Sequence, residues 1–548
     1  MASSSVGKFS FGDRKVVLGG TIACIILGGG AYYYYRSSKG NSNITESTVS
    51  SEVESLLDAQ GMKESGNKYF KKGDYEKAIE CYTQAIELCT EDNISELSTY
   101  YQNRAAAWEQ LKDWANVVKD CTFAIEKNPR YTKALHRRAK AYEVLDEKRN
   151  CLEDVTAVCL LEGFSNQQCM ELADRILKGI GKDLAADNYC KRPRVLPSAN
   201  SIKTYLDSFS NNVFVVTSEE NPTPEEAAYM KILERMNENN FENILPMCDE
   251  IVDSNTTTKH QIRATLLRGT LKSLMNDNEG SLHDFTKVIE ADNKGGEINE
   301  LIIDALIKRA SLKIQQEDEA GCFADLEMAI GIDDRNVNIY HSRGQLYSHK
   351  DRDDEAAIEY RKAISLDASY IQPRIQLGYC LCKVAMQRMS TSTMKEANDI
   401  LEETCRLFPH SSDAFSMYGQ LLQDQQRCEE AMSRLDKAIS LSPTTATTLV
   451  YKALLLLQWK KDKDGATELI RKAIDLDEKC DFAYETLASL EVQAGNVEEA
   501  LRLFERSLQL VRSEAEMANT YSLLEAAKAQ AKITERLGIQ LTPNAALM

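Results

Sequence analysis

The most restrictive feature of this 548-residue sequence is a pattern of small and aromatic residues that returns at nearly constant intervals. Two segments show it clearly, GNKYFKKGDYEKAIECYTQAIEL (66–88) and GQLYSHKDRDDEAAIEYRKAISL (344–366). Their alignment pairs five positions, namely Gly66/Gly344, Tyr69/Tyr347, Ala78/Ala356, Tyr82/Tyr360 and Ala85/Ala363. A protein made of such repeats grows by stacking and needs no single large core, so its length does not predict several ordinary domains.

These positions are numbers 8, 11, 20, 24 and 27 of the tetratricopeptide repeat, a helix–turn–helix unit. The small residue at position 8 recurs at Gly66, Ala105, Ala139, Gly269, Ala310, Gly344, Gly378, Gly419, Ala453 and Ala488. The intervals match the period of this repeat, with short insertions in some, except for one long gap between Ala139 and Gly269. We expect small residues at positions 8 and 20 to let two helices approach, and the large residues to fill the remaining space. The sequence therefore predicts an all-α superhelix of about 11 repeats, including a degenerate repeat at 225–258.

Composition narrows the possible partners and cofactors. The net charge of −18 argues against nucleic acid, which needs a basic surface, and is compatible with basic or apolar peptides. The 15 cysteines contain no CxxC pair, which is typical of reduced cysteines in the cytosol. No two of the six histidines have the i, i+4 spacing of a helical ligand pair, so we expect no metal and no cofactor. The motifs GxGxxG, GxxxxGK[ST], HExxH and GxSxG are all missing, so the protein is not expected to be an enzyme.

An uncharged segment near the N-terminus predicts a membrane anchor. The segment from Val16 to Tyr35 is just long enough to span hydrocarbon as a helix, and it ends in four tyrosines that suit the interface. A cleaved signal peptide would need small residues where those tyrosines lie. A lumenal protein remains an alternative, and it predicts glycans at the sequons of Asn43, Asn93 or Asn255.

The first three repeats place five polar side chains on their first helices. Lys63 and Asn67 hold positions 5 and 9 of repeat one, Asn103 holds position 6 of repeat two, and Lys133 and Arg137 hold positions 2 and 6 of repeat three. First helices line the concave groove of such a superhelix, so these groups should converge. Three cations and two amides can hold a pair of carboxylates, such as those of a polypeptide C-terminus that ends in aspartate.

The charge distribution agrees with such a site. Residues 59–150 carry 16 Lys and Arg against 15 Asp and Glu, whereas residues 151–548 carry a net charge of −19. The one repeat module that is not acidic is therefore the module that has the converging cations.

The five residues match the carboxylate clamp of co-chaperones that bind EEVD tails. Together with the anchor that ends in AYYYY, the segment LPSANSIKTYLDSF and the later repeats, they make the sequence resemble the large preprotein receptors of the translocase of the outer mitochondrial membrane. The resemblance implies repeats that face the cytosol, docking of heat-shock chaperones of the seventy- and ninety-kilodalton classes, contacts with other translocase subunits, and receipt of precursors with internal, carrier-type signals.

The resemblance also implies a client groove in the later repeats. Its candidate residues hold positions 2, 5 and 9 of their repeats: Ile375, Tyr379, Asp413, Val450 and Leu454. Packing between repeats is the alternative role for some of them. An adaptor that tethers chaperones to another membrane, without import, is the alternative function, and the cellular location of a fusion of residues 1–60 separates the two.

The expected domain order follows from these segments. It is a short N-terminal tail (1–15), the anchor (16–35), a polar tether (36–58), the clamp module (59–165), a helical segment and linker (166–224), the C-terminal array that binds clients (225–511), and a capping helix with a tail (512–548).

Overall fold

The structure is a computed structural model that describes residues 49–90, 93–216, 223–253, 258–291 and 296–539. The expected anchor from Val16 to Tyr35 lies outside these residues, as does most of the tether. Within the described ranges, no helix combines the length and the apolar character that crossing a bilayer would require.

The described part of the protein is made of helices joined by turns and a few irregular segments, and it contains no strand. The first seven are α1 (Val49–Lys72), α2 (Tyr75–Leu88), α3 (Ile94–Gln110), α4 (Trp114–Lys127), α5 (Thr132–Val144), α6 (Lys148–Leu161) and α7 (Gln167–Asn188). The next nine are α8 (Ala199–Leu206), α9 (Pro224–Asn237), α10 (Ile244–Val252), α11 (Lys259–Leu274), α12 (Asn278–Ile289), α13 (Glu297–Gln315), α14 (Glu319–Ile332), α15 (Val337–His349) and α16 (Asp353–Leu366). The last nine are α17 (Gln372–Arg388), α18 (Thr391–Leu407), α19 (Ser412–Asp424), α20 (Cys428–Leu441), α21 (Ala446–Leu455), α22 (Lys463–Leu476), α23 (Asp481–Ala494), α24 (Val497–Leu510) and α25 (Glu514–Leu537).

Consecutive helices pack as hairpins, and the small residue at position 8 makes this close packing possible. A methyl group added at Gly66 would lie 2.6 Å from the ring of Tyr82, and one at Gly344 would lie 2.6 Å from the ring of Tyr360. Each aromatic residue holds position 24 of the repeat to which its glycine belongs. The all-α repeat architecture predicted from the sequence is therefore confirmed, together with the reason for its small residues.

The turns inside several repeats share one form. A residue with positive φ, such as Lys112 or Asn276, ends the first helix. An aspartate follows directly, and the carboxylates of Asp113 and Asp277 accept hydrogen bonds from the first turn of the second helix. This combination of a left-handed residue and an N-cap reverses the direction of the backbone within a very short segment.

One irregular turn explains a departure from the usual repeat interval. Residues Leu456–Lys460 form a π-helical turn after α21, and the left-handed residue Lys461 and the N-cap Asp462 follow it. A π turn holds an additional residue. The step from Ala453 to Ala488 is accordingly one residue longer than the step from Ala310 to Gly344.

The chain divides into two compact units, which we describe separately. The array unit comprises residues 188–487 and 506–517. The clamp unit comprises the described residues up to 187, with residues 488–505 and the residues from 518 onward. In the array unit, the first helices of successive repeats, from α11 to α21, lie side by side and form one surface.

The region of the long gap in the repeat pattern is largely helical. The sequence predicts a helical segment over 166–181 and one short amphipathic element from Ile202 to Phe209; the structure has α7, which continues to Asn188, and α8 over Ala199–Leu206. Ile202 is completely buried in the core of the array unit, where Tyr205 and Leu206 also pack.

Most of the helix after the last repeat belongs to the clamp unit. The sequence predicts a cap over 512–537, and the structure has α25 there. The hydroxyl of Ser522 on α25 donates to the carbonyl oxygen of Leu177 on α7 at 3.0 Å. Arg130 donates to the carbonyl oxygen of Leu537 at 2.9 Å, and Lys532 pairs with Glu153 at 2.5 Å. These contacts join residues that are hundreds of positions apart in the sequence.

Candidate functional site

The five residues expected to form a clamp lie on the first helices of the first three repeats. Lys63 and Asn67 are one turn apart on α1, Asn103 is on α3, and Lys133 and Arg137 are one turn apart on α5. Helices α3 and α5 contact each other directly, as first helices of adjacent repeats.

The amide of Asn67 is oriented by a buried tyrosine. Burial raises the pKa of Tyr82 to about 12, so its hydroxyl keeps the proton at neutral pH. This hydroxyl donates a hydrogen bond to Oδ1 of Asn67 at 2.8 Å. The amide nitrogen of Asn67 is therefore left to donate to a ligand, which is the role expected of it.

Three further donors of the site are free. The side chains of Lys63, Asn103 and Lys133 have no hydrogen bond or ion pair with any described residue. Lys133 is exposed, and the other two are half-buried. An unpaired ammonium or amide at a partly desolvated position can form charge-assisted hydrogen bonds with an incoming carboxylate.

Arg137 differs from these residues because it already has an acidic partner, which the sequence analysis missed. Its Nε donates to Oε2 of Glu109 at 2.6 Å, and both side chains are 20% exposed. Its Nη1 is 3.5 Å from the carbonyl oxygen of Gln102. Because Glu109 lies on α3 and Arg137 on α5, this pair sets the position of the guanidinium and reduces the positive charge of the site.

Buried arginine–aspartate pairs hold successive repeats of the clamp unit together. Arg104 donates to both carboxylate oxygens of Asp120 at 2.8 Å and to the hydroxyl of Thr83 in the preceding repeat at 3.0 Å. Arg138 forms the same arrangement with Asp154 and Thr122. Each arginine thus connects its own second helix to that of the repeat before.

The same pairs recur in the array unit, and the sequence contains a signal for them. They are Arg268 with Asp284 and Arg309 with Asp325, and each has the same sequence separation as Arg104 with Asp120 and Arg138 with Asp154. The arginine always holds position 7 and the aspartate position 23. A search for this spacing would have found all four pairs.

The five candidate residues of the client groove differ in exposure. Ile375 is 2% exposed and Val450 is 0% exposed, which suits the alternative that they pack between repeats. Tyr379 and Leu454 are half-buried. Burial raises the pKa of Asp413, and a hydrogen bond with Gln372 opposes this shift.

Comparisons with known proteins agree with the repeat architecture. A family described as "Tetratricopeptide repeat" matches residues 59–91 and, through a second profile of the same description, residues 337–370. The mitochondrial import receptor subunit TOM70 of Homo sapiens is 42% identical over 503 residues, which cover 89% of this chain and 82% of that protein. The protein of the same name from Saccharomyces cerevisiae strain S288c is 27% identical over 539 residues, which cover 91% of this chain and 84% of that protein.

A solved structure shows the same fold. The crystal structure of the yeast Tom70 superimposes with a TM-score of 0.54 and covers 88% of this chain and 98% of that one. The identity between the two sequences is 24%, so this likeness concerns the fold alone.

Proposed function

Because this chain belongs to the TOM70 family of mitochondrial import receptor subunits, we propose that it docks cytosolic chaperones by their C-terminal EEVD tails and passes precursor proteins to an import channel. It is a receptor and not an enzyme. The proposed location is the mitochondrial outer membrane, with residues Val16 to Tyr35 as a single-pass anchor and the repeats in the cytosol. Its partners are chaperones of the seventy- and ninety-kilodalton classes, precursors with internal signals, and other translocase subunits.

The proposal of chaperone docking rests on the hydrogen-bond donors that lie on α1, α3 and α5. Lys63, Lys133 and Asn103 are free, and the amide nitrogen of Asn67 is turned away from Tyr82. A C-terminal aspartate presents two carboxylates within one residue, which can accept from several such donors at once. Capture of a polypeptide terminus therefore fits this site better than binding of an internal peptide segment.

The first prediction concerns two cations of the clamp. Lys133→Ala and Arg137→Ala are each expected to weaken binding of a peptide ending in EEVD by on the order of 2–3 kcal/mol, because each removes one partner of a charge-assisted pair. Isothermal titration calorimetry with the full-length protein measures this loss. The affinity should also fall as salt is added, because the groove is open to solvent.

Lys119→Ala is the matched control for these variants. Lys119 is an exposed lysine on α4, a second helix, so its removal changes the net charge equally without touching the proposed site. If this control weakened binding as much as Lys133→Ala, general electrostatic attraction would explain the effect. Unchanged affinity in both clamp variants would refute the clamp.

The second prediction uses the acidic partner of Arg137. Glu109→Gln is expected to tighten EEVD binding roughly two- to fivefold, because an ion pair of up to about 1 kcal/mol no longer competes with the peptide for the guanidinium. The same titration measures it. Weaker binding would mean that Glu109 serves mainly to position Arg137, and competition would then be the wrong description.

Receipt of precursors is assigned to the array unit. Its first helices form a continuous surface, and residues 151–548 carry the acidic excess of the protein. A surface of this kind suits apolar and basic segments, which are common in membrane precursors. The candidate contacts within it are Tyr379, Asp413 and Leu454, which are all half-buried.

A further inference from the structure

A stretch of the protein itself lies against the first helices of the array unit. Residues 207–214, which follow α8 and which we call the internal segment, contact side chains from α11, α13, α15 and the turn before α17. Of these, Arg263 and Asn338 hold position 2 of their repeats, and Lys308 holds position 6. Lys133 and Arg137 hold the same two positions in the clamp. The internal segment therefore lies where a repeat groove of this kind holds a peptide.

Four hydrogen bonds join the array to the main chain of the internal segment. They are the Tyr370 hydroxyl to the carbonyl oxygen of Ser208 at 2.6 Å, the N–H of Ser210 to Oδ1 of Asn338 at 2.9 Å, Nε of Arg263 to the carbonyl oxygen of Val213 at 3.3 Å, and the Tyr229 hydroxyl to the carbonyl oxygen of Phe214 at 2.9 Å. Bonds to main-chain atoms do not depend on the side chains of the bound segment. The groove can therefore hold irregular segments of different sequence in the same way.

A buried histidine contacts the hydroxyl that makes one of these bonds. Burial lowers the pKa of His341 to about 3, so its ring is neutral. Because the carbonyl oxygen of Ser208 can only accept, Tyr370 donates to it, and Nδ1 of His341 then donates to the oxygen of Tyr370 at 3.0 Å. The oxygen of Tyr370 thus accepts from His341 of the array, and its proton is directed at the carbonyl oxygen of the internal segment.

Two aromatic rings of the internal segment face a buried lysine. The ammonium of Lys308 lies 4.3 Å from the ring centre of Phe209 and 5.4 Å from that of Phe214. Lys308 is 2% exposed and is paired with Asp304 on its own helix. Cation–π contacts strengthen when the cation is shielded from water. This part of the groove therefore selects aromatic side chains.

Burial varies along the internal segment. Phe214 is 2% exposed, whereas Phe209 and Val213 are only partly buried, and Val215, just beyond the segment, is 62% exposed. Ile202 on α8 is completely buried in the same core. Because Ile202, Tyr205 and Leu206 are buried on α8 itself, α8 stays anchored when the internal segment is released, although release also exposes Phe214.

We propose that the internal segment is a ligand in cis that occupies a peptide-binding groove, and that precursor segments with two aromatic side chains, spaced like Phe209 and Phe214, displace it. The inference rests on the proposed function, since a precursor is the competing occupant. A covalently linked ligand has a high effective concentration, so it reduces the apparent affinity for any peptide added from outside.

The test uses the full-length protein and a fluorescent peptide with the sequence of residues 205–216, YLDSFSNNVFVV. We expect Phe209→Ser in the protein to tighten binding of this peptide about tenfold by anisotropy, because the ligand in cis loses its ring contact with Lys308. Val215→Ser is the matched control, because it alters an exposed side chain beside the same segment and should leave the affinity unchanged. Equal affinities for the unmodified and Phe209→Ser proteins would overturn the proposal.

Hydrogen exchange on the unmodified protein gives a second measurement that needs no variant. Saturation with the peptide should increase deuterium uptake in residues 207–214, where the N–H of Ser210 loses its bond to Asn338. Unchanged uptake with bound peptide would overturn the proposal.

A parallel titration with a peptide from a carrier-type precursor separates the two levels of inference. If it binds and leaves the exchange of residues 207–214 unchanged, displacement is refuted and the receptor function stands. Alternatively, the carrier peptide binds to neither the unmodified protein nor any variant, while YLDSFSNNVFVV still binds to Phe209→Ser. In that case occupation of the groove in cis stands, and the client part of the proposed function fails.

Discussion

Replacement of Asp284 by alanine is expected to lower the free energy of unfolding around α11 and α12 by about 3–5 kcal/mol, because it leaves a buried cation without its carboxylate. Asp284 is completely buried. Its two oxygens accept from Arg268 at 2.6 and 2.9 Å, and Lys272 donates to it at 2.9 Å. Burial by itself lowers the pKa of Arg268, but the carboxylates of Asp284 and Asp249 outweigh burial and raise it, so the guanidinium of the unmodified protein is charged.

Asp249→Ala is the control, because Asp249 pairs with the same arginine from a side chain that is 53% exposed. A surface ion pair contributes up to about 1 kcal/mol. Asp249→Ala should therefore lower the free energy of unfolding much less than Asp284→Ala does. Unfolding of a repeat array need not be two-state. Native-state hydrogen exchange, which resolves α11 and α12 from other helices, is therefore the appropriate measurement. If the two variants lost similar amounts of unfolding free energy, burial of Asp284 would not be the reason for the large expected effect.

The parts of the fold that the sequence predicted are those set by contacts within one hairpin. Gly66 meets Tyr82 because position 8 faces position 24 whenever two helices of this length pair through a short turn. The same relation brings Gly344 against Tyr360, and each copy of the pattern strengthens the inference. Identification of the clamp residues as a set on first helices depends on the same local register, so it too could be made from the sequence.

Contacts that do not repeat were not predictable in this way. The pair of Arg137 with Glu109 occurs once, and nothing in the spacing of these two residues distinguishes it from other charges on the helix surfaces. The contact of the internal segment with Lys308 depends on how the backbone leaves α8, for which the Asn- and Ser-rich sequence gives no periodic signal. Ile375 and Val450 show a further limit of prediction from the sequence. The repeat register gives the position of a residue within its repeat, but it does not show how closely the neighbouring helix covers the side chain.

The contact between α7 and α25 is another feature of this kind. The bond between Ser522 and Leu177 joins residues 345 positions apart. A methyl group added at Gly181 would overlap the carbonyl oxygen of Ala518 and the hydroxyl of Ser522, so the two helices can approach only where α7 has no side chain. Glycine weakens a helix by about 1 kcal/mol relative to alanine, and here it permits this packing.

Gly181→Leu is accordingly expected to destabilise the packing of α25 in the clamp unit by about 3 kcal/mol or more, because the overlapping atom is a main-chain oxygen that cannot rotate away. Gly179→Leu is the matched control on the same helix. An added Cβ there meets only the flexible side chain of Lys148, at 3.7 Å, so the change should be neutral or slightly stabilising. Hydrogen exchange of residues 518–537 in the full-length protein measures both effects. Equal protection of α25 in the two variants would contradict the prediction.

The same variant tests whether the clamp depends on the C-terminal helix. The described contacts of α25 with the clamp unit involve α6, α7 and Arg130, whereas the five clamp residues lie on α1, α3 and α5. A solenoid transmits stability mainly between neighbouring repeats, so α1 and α3 should keep their structure when α25 is released. We therefore expect Gly181→Leu to bind the EEVD peptide with an affinity within about twofold of the unmodified protein. A loss as large as that expected for Lys133→Ala would mean that α25 is required to hold α5 in the binding geometry.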